Sequence, residues 1–181
     1  DANAIFDNAA IGILVEELRN DGVGYAVGSA LYTTNPGNSA GENEGLYWRY
    51  ELALKEMESD FGSVVGGDGA IYAIWRHLYT PLEAHDINDF MNPLQIIAAG
   101  YRGVFSSRAK AYEDPANDYA KEFRRKRRIV CRSWGATVRF GLRRIFAANK
   151  RFAFMLVSHK IIRWFTCLWV ALAAITNVAI L

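Results

Sequence analysis

Apolar residues at Ile5, Ala9, Ile13 and Leu14 recur at helical spacing within residues 4–19, and Asn20-Asp21-Gly22 stops the helix they predict. Val23–Tyr32 mixes glycine with β-forming residues and few polar positions, the pattern of a buried strand. Thr33–Asn43 is polar and rich in Gly, Asn and Pro, and reads as a loop. Helical spacing returns over Glu44–Ser59, with Leu46, Tyr50, Ala53 and Met57 on one face. Gly66-Gly67-Asp68-Gly69 then interrupts the chain before a short strand at Ala70–Trp75. A polar loop over Leu82–Phe90 ends in Asn88-Asp89-Phe90. Pro93 opens a helix that Gly100 closes, and Tyr101–Phe105 and Ala109–Tyr112 read as two strands. This alternation of strand and helix predicts an α/β fold.

Past Tyr119 the pattern changes. Glu122–Arg132 is a dense basic run, and residues 134–160 alternate Arg and Lys with Phe, Ile, Leu and Trp, as an amphipathic interfacial helix does. Trp164–Leu181 is 18 residues without a charge. As a helix it would span about 27 Å, close to a bilayer core of roughly 30 Å. Lys160, Arg163, Trp164 and Trp169 near its start mark the cytoplasmic boundary of a membrane helix. A buried core helix is the competing reading.

The 181 residues, 51% of them hydrophobic, suffice for a domain with its own core. The net charge of +2 conceals a division. Residues 1–118 carry a balance of −11 and residues 119–181 one of +13. An acidic body is thus joined to a basic, apolar tail, which points to membrane lipids as its partner. No compact recognition motif favours nucleic acid. Cys131 and Cys167 exclude a disulfide scaffold and a cysteine zinc site. The chain opens at Asp1 and closes within an apolar run, and is expected to be a piece of a longer protein.

Three groupings could carry chemistry. In Asp1-Ala2-Asn3, side-chain oxygens two residues apart can converge on Mg²⁺ or Mn²⁺, although a turn or helix cap is the commoner reading of the tripeptide alone. Asp89, on a loop beside a helix start, can act as a general base or as a helix N-cap. Arg124-Arg125-Lys126-Arg127-Arg128 can grip phosphate oxygens in bidentate fashion, or form a solvated face. His77, His85 and His159 have no metal-ligand spacing, and His159 reads as a polar anchor at the membrane boundary.

In order and spacing, these pieces resemble a membrane-bound family 2 glycosyltransferase of the polysaccharide-synthase kind, over nearly the whole chain. Asp1-Ala2-Asn3 resembles the metal-binding D-x-D element, with Asn3 in place of its second Asp. Gly24–Gly28 is similar to the V-G-x-V-x-G strand, Glu44–Glu58 to the Y-W-x-Y-E helix, and Gly67–Ile74 with Arg76 to the G-x-x-Y-A-x-R strand. Asn88-Asp89-Phe90 falls where the family carries an E-D or D-D pair. Arg125–Ile129 resembles the Q-x-x-R-W element, and Ser158-His159-Lys160 through Trp164 the S-H-K-x-x-R-W segment.

The resemblance implies the C-terminal part of a GT-A domain over 1–118, a basic amphipathic interfacial segment over 119–160 and a transmembrane helix over 161–181. It implies an inverting glycosyltransferase on the cytoplasmic face of the membrane. The donor is a nucleotide-diphospho-sugar and the acceptor a glycan or lipid-linked hydroxyl. Asp89 would be the base, and Arg125, Arg128, Gly67 and Gly69 would contact the donor. Asp1 and Asn3 would hold Mg²⁺ or Mn²⁺. The alternative is a non-catalytic membrane-tethered interaction module, or a degenerate enzyme, with the tail on lipid and the acidic body on a partner.

Overall fold

A computed structural model describes residues 4–32, 39–113 and 119–180. The fold is α/β. Strands β1 (Ile5–Phe6), β2 (Val23–Tyr32), β3 (Tyr72–Ile74) and β4 (Arg102–Glu113) form one mixed sheet in the order β1-β4-β2-β3. The central pair, β2 and β4, is parallel, and both outer strands run antiparallel to their neighbours. A parallel pair needs a long crossover, here built from α2 (Ser39–Phe61), β3 and α3 (Asn88–Ala98). Helix α1 (Ala10–Leu18) packs Leu14 and Leu18 against the strands.

Several elements differ from the sequence pattern. Residues 4–9 are not helical. Ile5 and Phe6 pair with Tyr112 and Ala111, and the Asp7 carboxylate accepts from the Ala9 N–H just before α1 begins. The two strands expected at Tyr101–Phe105 and Ala109–Tyr112 are one, β4, with an irregularity opposite Val27 and Ser29. A register shift of this kind mimics a loop in sequence because it breaks the alternation without ending the strand. At Gly103 the ring of Tyr25 lies across the bare Cα, where any side chain would collide with it. The Tyr25 hydroxyl donates to the Val64 carbonyl, so this contact also fixes the chain after α2.

Helix α2 is rotated from expectation. Tyr50 and Met57, placed on the inner face by their spacing, are exposed. Among its described side chains, the buried positions are Glu51, Lys55, Glu58 and Ser59. A polar inner face survives burial only when its groups find partners, and these do: Ser59 Oγ accepts from the Phe105 N–H at 3.0 Å, and Glu58 Oε2 from the Val65 N–H at 2.9 Å.

The basic segment folds as α4 (Tyr119–Phe140), α5 (Leu142–Ala148) and α6 (Lys150–Met155), broken at Gly141, whose φ of 87° suits glycine. A π-helical turn (Leu156–Ile161), a short α7 (Ile162–Trp164) and α8 (Thr166–Ile180) follow. One core draws on both sides of residue 118: Phe90, Leu94 and Ile97 pack with Ile145, Phe152, Met155 and Leu156. No single described helix is long and apolar enough to cross a membrane. The apolar stretch expected as one helix over 161–181 bends by 64° between Lys150–Trp164 and Thr166–Val178. Beyond the bend, Leu168, Trp169, Val170, Leu172, Ile175 and Val178 all face outward.

Candidate functional site

Helix α3 begins at Asn88, so Asp89 lies in its first turn rather than on the preceding loop. Pro93, expected to open this helix, sits inside it. The displaced start has a chemical consequence. Proline has no N–H, so the carbonyl four residues earlier, that of Asp89, has no helical donor. The Gly67 N–H takes that place, at 2.5 Å from the Asp89 oxygen. The glycine loop is thereby drawn onto the start of α3. A Cβ on Gly67 would lie 3.1 Å from the Asp89 carbonyl oxygen, and one on Gly69 would lie 3.2 Å from Asp89 Oδ2.

The N-cap position of α3 is Ile87, and no side chain caps the helix, so Asp89 is not the cap that was its alternative. Its Oδ1 is buried and has no hydrogen-bond partner. Burial, and next the negative charge of Asp68, push the Asp89 carboxyl up to about 6. Lys160 and Lys55 oppose the rise. Lys55 pairs with Asp68 at 2.8 Å, both largely buried, and its ammonium lies 5.6 Å from the Trp48 ring and 5.9 Å from that of Phe105. The pair ties the glycine loop to α2. Asn92, one turn beyond Asp89, donates from Nδ2 to the Tyr72 hydroxyl at 3.0 Å.

A second polar cluster joins α2 to the turn before α7. His159 Nδ1 lies 2.5 Å from Glu58 Oε1, and its Nε2 faces Glu51 Oε2 at 3.4 Å without hydrogen-bond geometry. Arg163 pairs with Glu51, and the Tyr47 hydroxyl donates to Glu51 Oε1 at 2.8 Å. Burial alone would raise the Glu51 carboxyl, but His159, Lys160, Tyr47 and Arg163 together hold it well below the usual carboxylate range. His159 is therefore buried against α2, not exposed as an anchor at a boundary. The S-H-K-x-x-R-W segment thus closes one side of the domain. Trp164 of that segment packs at 5.8 Å between ring centroids on Phe90, the neighbour of Asp89.

Of the expected site residues, the structure gathers Gly67, Gly69 and Asp89. Arg125 and Arg128 lie on the exposed stretch of α4. Asp1 and Asn3 fall outside the described residues. Among the described residues, no group of three or more His, Cys, Asp or Glu side chains could hold a metal ion. Lys55 and Asp68 were not singled out in sequence, and Lys160 was read there only as a cation at the membrane boundary. The available signal was the i, i+4, i+7 spacing of Glu51, Lys55 and Glu58, which puts three charges on one stripe of α2.

The arrangement defines an α/β protein with a half-buried carboxylate at a helix start, its inner oxygen buried and a glycine loop packed against it. No family model matches the chain, and neither does any curated protein.

Proposed function

We propose that this chain is the acceptor-side part of an inverting glycosyltransferase acting at a membrane, with Asp89 as its general base. The observation that carries the reading is the Asp89 carboxyl, enclosed by Gly67 and Gly69, with one buried oxygen unpartnered and its acidity shifted to about 6. A base with a pKa near the operating pH combines the ionised form with useful proton affinity.

In the proposed reaction, Asp89 takes the proton of an acceptor hydroxyl. The freed oxygen attacks the anomeric carbon of a nucleotide-diphospho-sugar from the face opposite the diphosphate. The bond from that carbon to the diphosphate oxygen breaks, and the diphosphate leaves with its charge. Arg125 and Arg128 are proposed as its partners by resemblance. The outward apolar surface of α8, beyond a basic segment, supports membrane attachment with the catalytic part on the cytoplasmic side.

The deciding experiment is Asp89→Asn in the full-length protein in membranes, assayed against a panel of sugar nucleotides. Asparagine keeps the shape but takes no proton. Turnover should fall by about 10²–10⁴-fold with donor affinity little changed. Retained turnover would remove Asp89 from the chemistry.

A further inference from the structure

Helix α4 is packed against the protein at one end only. Towards its C-terminus Ser133, Ala136 and Thr137 are buried, whereas every described side chain from Tyr119 to Ile129 is exposed. At the helical period, Tyr119, Phe123, Trp134 and Val138 fall within an arc of about 100°, and all four are exposed. Arg127 lies inside that arc, Arg124 lies beside it, and Arg132 is on the opposite face. The stripe continues onto the apolar arm. The Trp134 ring meets that of Phe165 edge-on at 5.3 Å between centroids, and that of Trp164 at 6.4 Å. Just beyond Phe165 begin the outward apolar side chains of α8. Charge is as one-sided as the apolar surface: α4 carries eight Lys or Arg and one Glu. Arg124 stands three and four residues before Arg127 and Arg128, the spacings at which like charges repel on a helix.

We infer that this stripe of α4 docks on an anionic phospholipid surface, with Phe123 and Trp134 among the headgroups and the Arg124 and Arg127 guanidinium groups on lipid phosphates. The inference rests on the membrane attachment proposed above. It adds a second contacting element and names the lipid. An apolar stripe bordered by arginines is the composition of a helix lying in a bilayer interface. Aromatic rings settle at headgroup depth, and arginine side chains reach from an apolar stripe to the charged groups above it. Negative lipid offsets the repulsion along the helix, so the charge selects an anionic surface over a zwitterionic one. The basic run is thereby divided between two faces. Arg124 and Arg127 belong to the lipid side, and Arg125 and Arg128 turn away from the stripe, which keeps lipid docking compatible with the diphosphate role proposed for them.

The test reads lipid contact and no turnover. The full-length protein, its own cysteines replaced, carries a single nitroxide through Phe123→Cys, Arg132→Cys or Ile175→Cys, all exposed positions, and is placed in nanodiscs. Collision rates with oxygen, which concentrates in lipid, and with a nickel chelate, which stays in water, report the surroundings of each label. In phosphatidylglycerol, position 123 should favour oxygen and position 132 the chelate. In phosphatidylcholine, or at high salt, position 123 should shift towards the chelate. Arg124→Gln with Arg127→Gln should act likewise in phosphatidylglycerol. One basic residue at an anionic surface contributes about fivefold, so the pair should change the ratio of docked to free helix about thirtyfold. Chelate access at position 123 equal to that at 132 in phosphatidylglycerol would overturn the docking. Exclusion of both reagents from position 123 would overturn it in favour of a protein chain covering the stripe. Equal docking in both lipids, or a double variant that docks like the parent, would overturn the anionic partner. Position 175 separates this inference from the attachment beneath it. Oxygen access at 175 without it at 123 would leave α8 attached and α4 undocked, whereas chelate access at both would defeat the membrane reading itself.

Discussion

Pro93 frees the Asp89 carbonyl, one helical turn before it, and the Gly67 N–H occupies that carbonyl at 2.5 Å. Pro93→Ala would restore a helical donor that competes with Gly67. The helix itself should gain, since proline within a helix costs about 3 kcal/mol. The glycine loop should loosen by about one hydrogen bond, roughly 1 kcal/mol. Hydrogen exchange is the check: the Gly67 amide should exchange about fivefold faster while thermal stability holds or rises.

The Asp89 carboxyl titrates higher in the folded chain than its ordinary value of 3.8. The folded state therefore prefers the protonated form. Ionisation is penalised as pH rises from that value through about 6, and the penalty is complete above it. Asp89→Asn removes it. The variant should be more stable than the parent above pH 6, by up to roughly 3 kcal/mol, and no more stable below pH 4. Melting temperatures across pH in nanodiscs would show the gap open with rising pH. A constant gap would mean that Asp89 ionises without penalty.

Asp68 and Lys55 act on Asp89 with opposite signs. Asp68→Asn removes a like charge and releases Lys55 from its ion pair, so, with Asp89 in its proposed role as the base, the acid limb of kcat/KM should move to lower pH. Lys55→Met should move it to higher pH. A pH profile of full-length protein in membranes distinguishes this from loss of folding, which would lower the plateau without moving the limb.

His159→Ala would leave Glu51 and Glu58 facing each other on α2 without the ring between them. Removing one partner of a buried ionic group costs about 3–5 kcal/mol. The loss should appear in thermal unfolding. Because the Glu51 carboxyl is held low, its contribution is complete above the ordinary value of 4.5 and is lost as pH falls below it. The penalty of His159→Ala should therefore shrink under acid.

The sheet was legible where one signal dominated. Val23–Tyr32 matches β2, because a strand buried in the middle of a sheet leaves a long apolar run. Asp89 was singled out in the sequence, but its place in the first turn of a helix was not. Pro93 is a strong sequence marker for a helix beginning, and here its neighbours Phe90, Met91 and Leu94 are all buried, so packing carries the helix through it. The inner face of α2 misled for the opposite reason. Tyr50 and Met57 have the spacing of a core stripe, yet partners up to 112 residues away make Glu51 and Glu58 the buried pair. No local window contains those partners. The bend at Phe165 was equally invisible, since composition over 164–181 is uniform.

That shared core also sets an order of events during synthesis. Phe90, Leu94 and Ile97 are covered by Phe152, Met155 and Leu156. A nascent chain that has emerged only as far as α4 can assemble the sheet, but it carries an open greasy face where α6 will dock. The half that holds Asp89 cannot finish folding until the segment leading into α8 has left the ribosome. Completion of the half that holds Asp89 and delivery of the apolar arm are therefore nearly simultaneous, and a chain stalled near Phe140 is expected to be a substrate for chaperones or proteolysis rather than a finished domain.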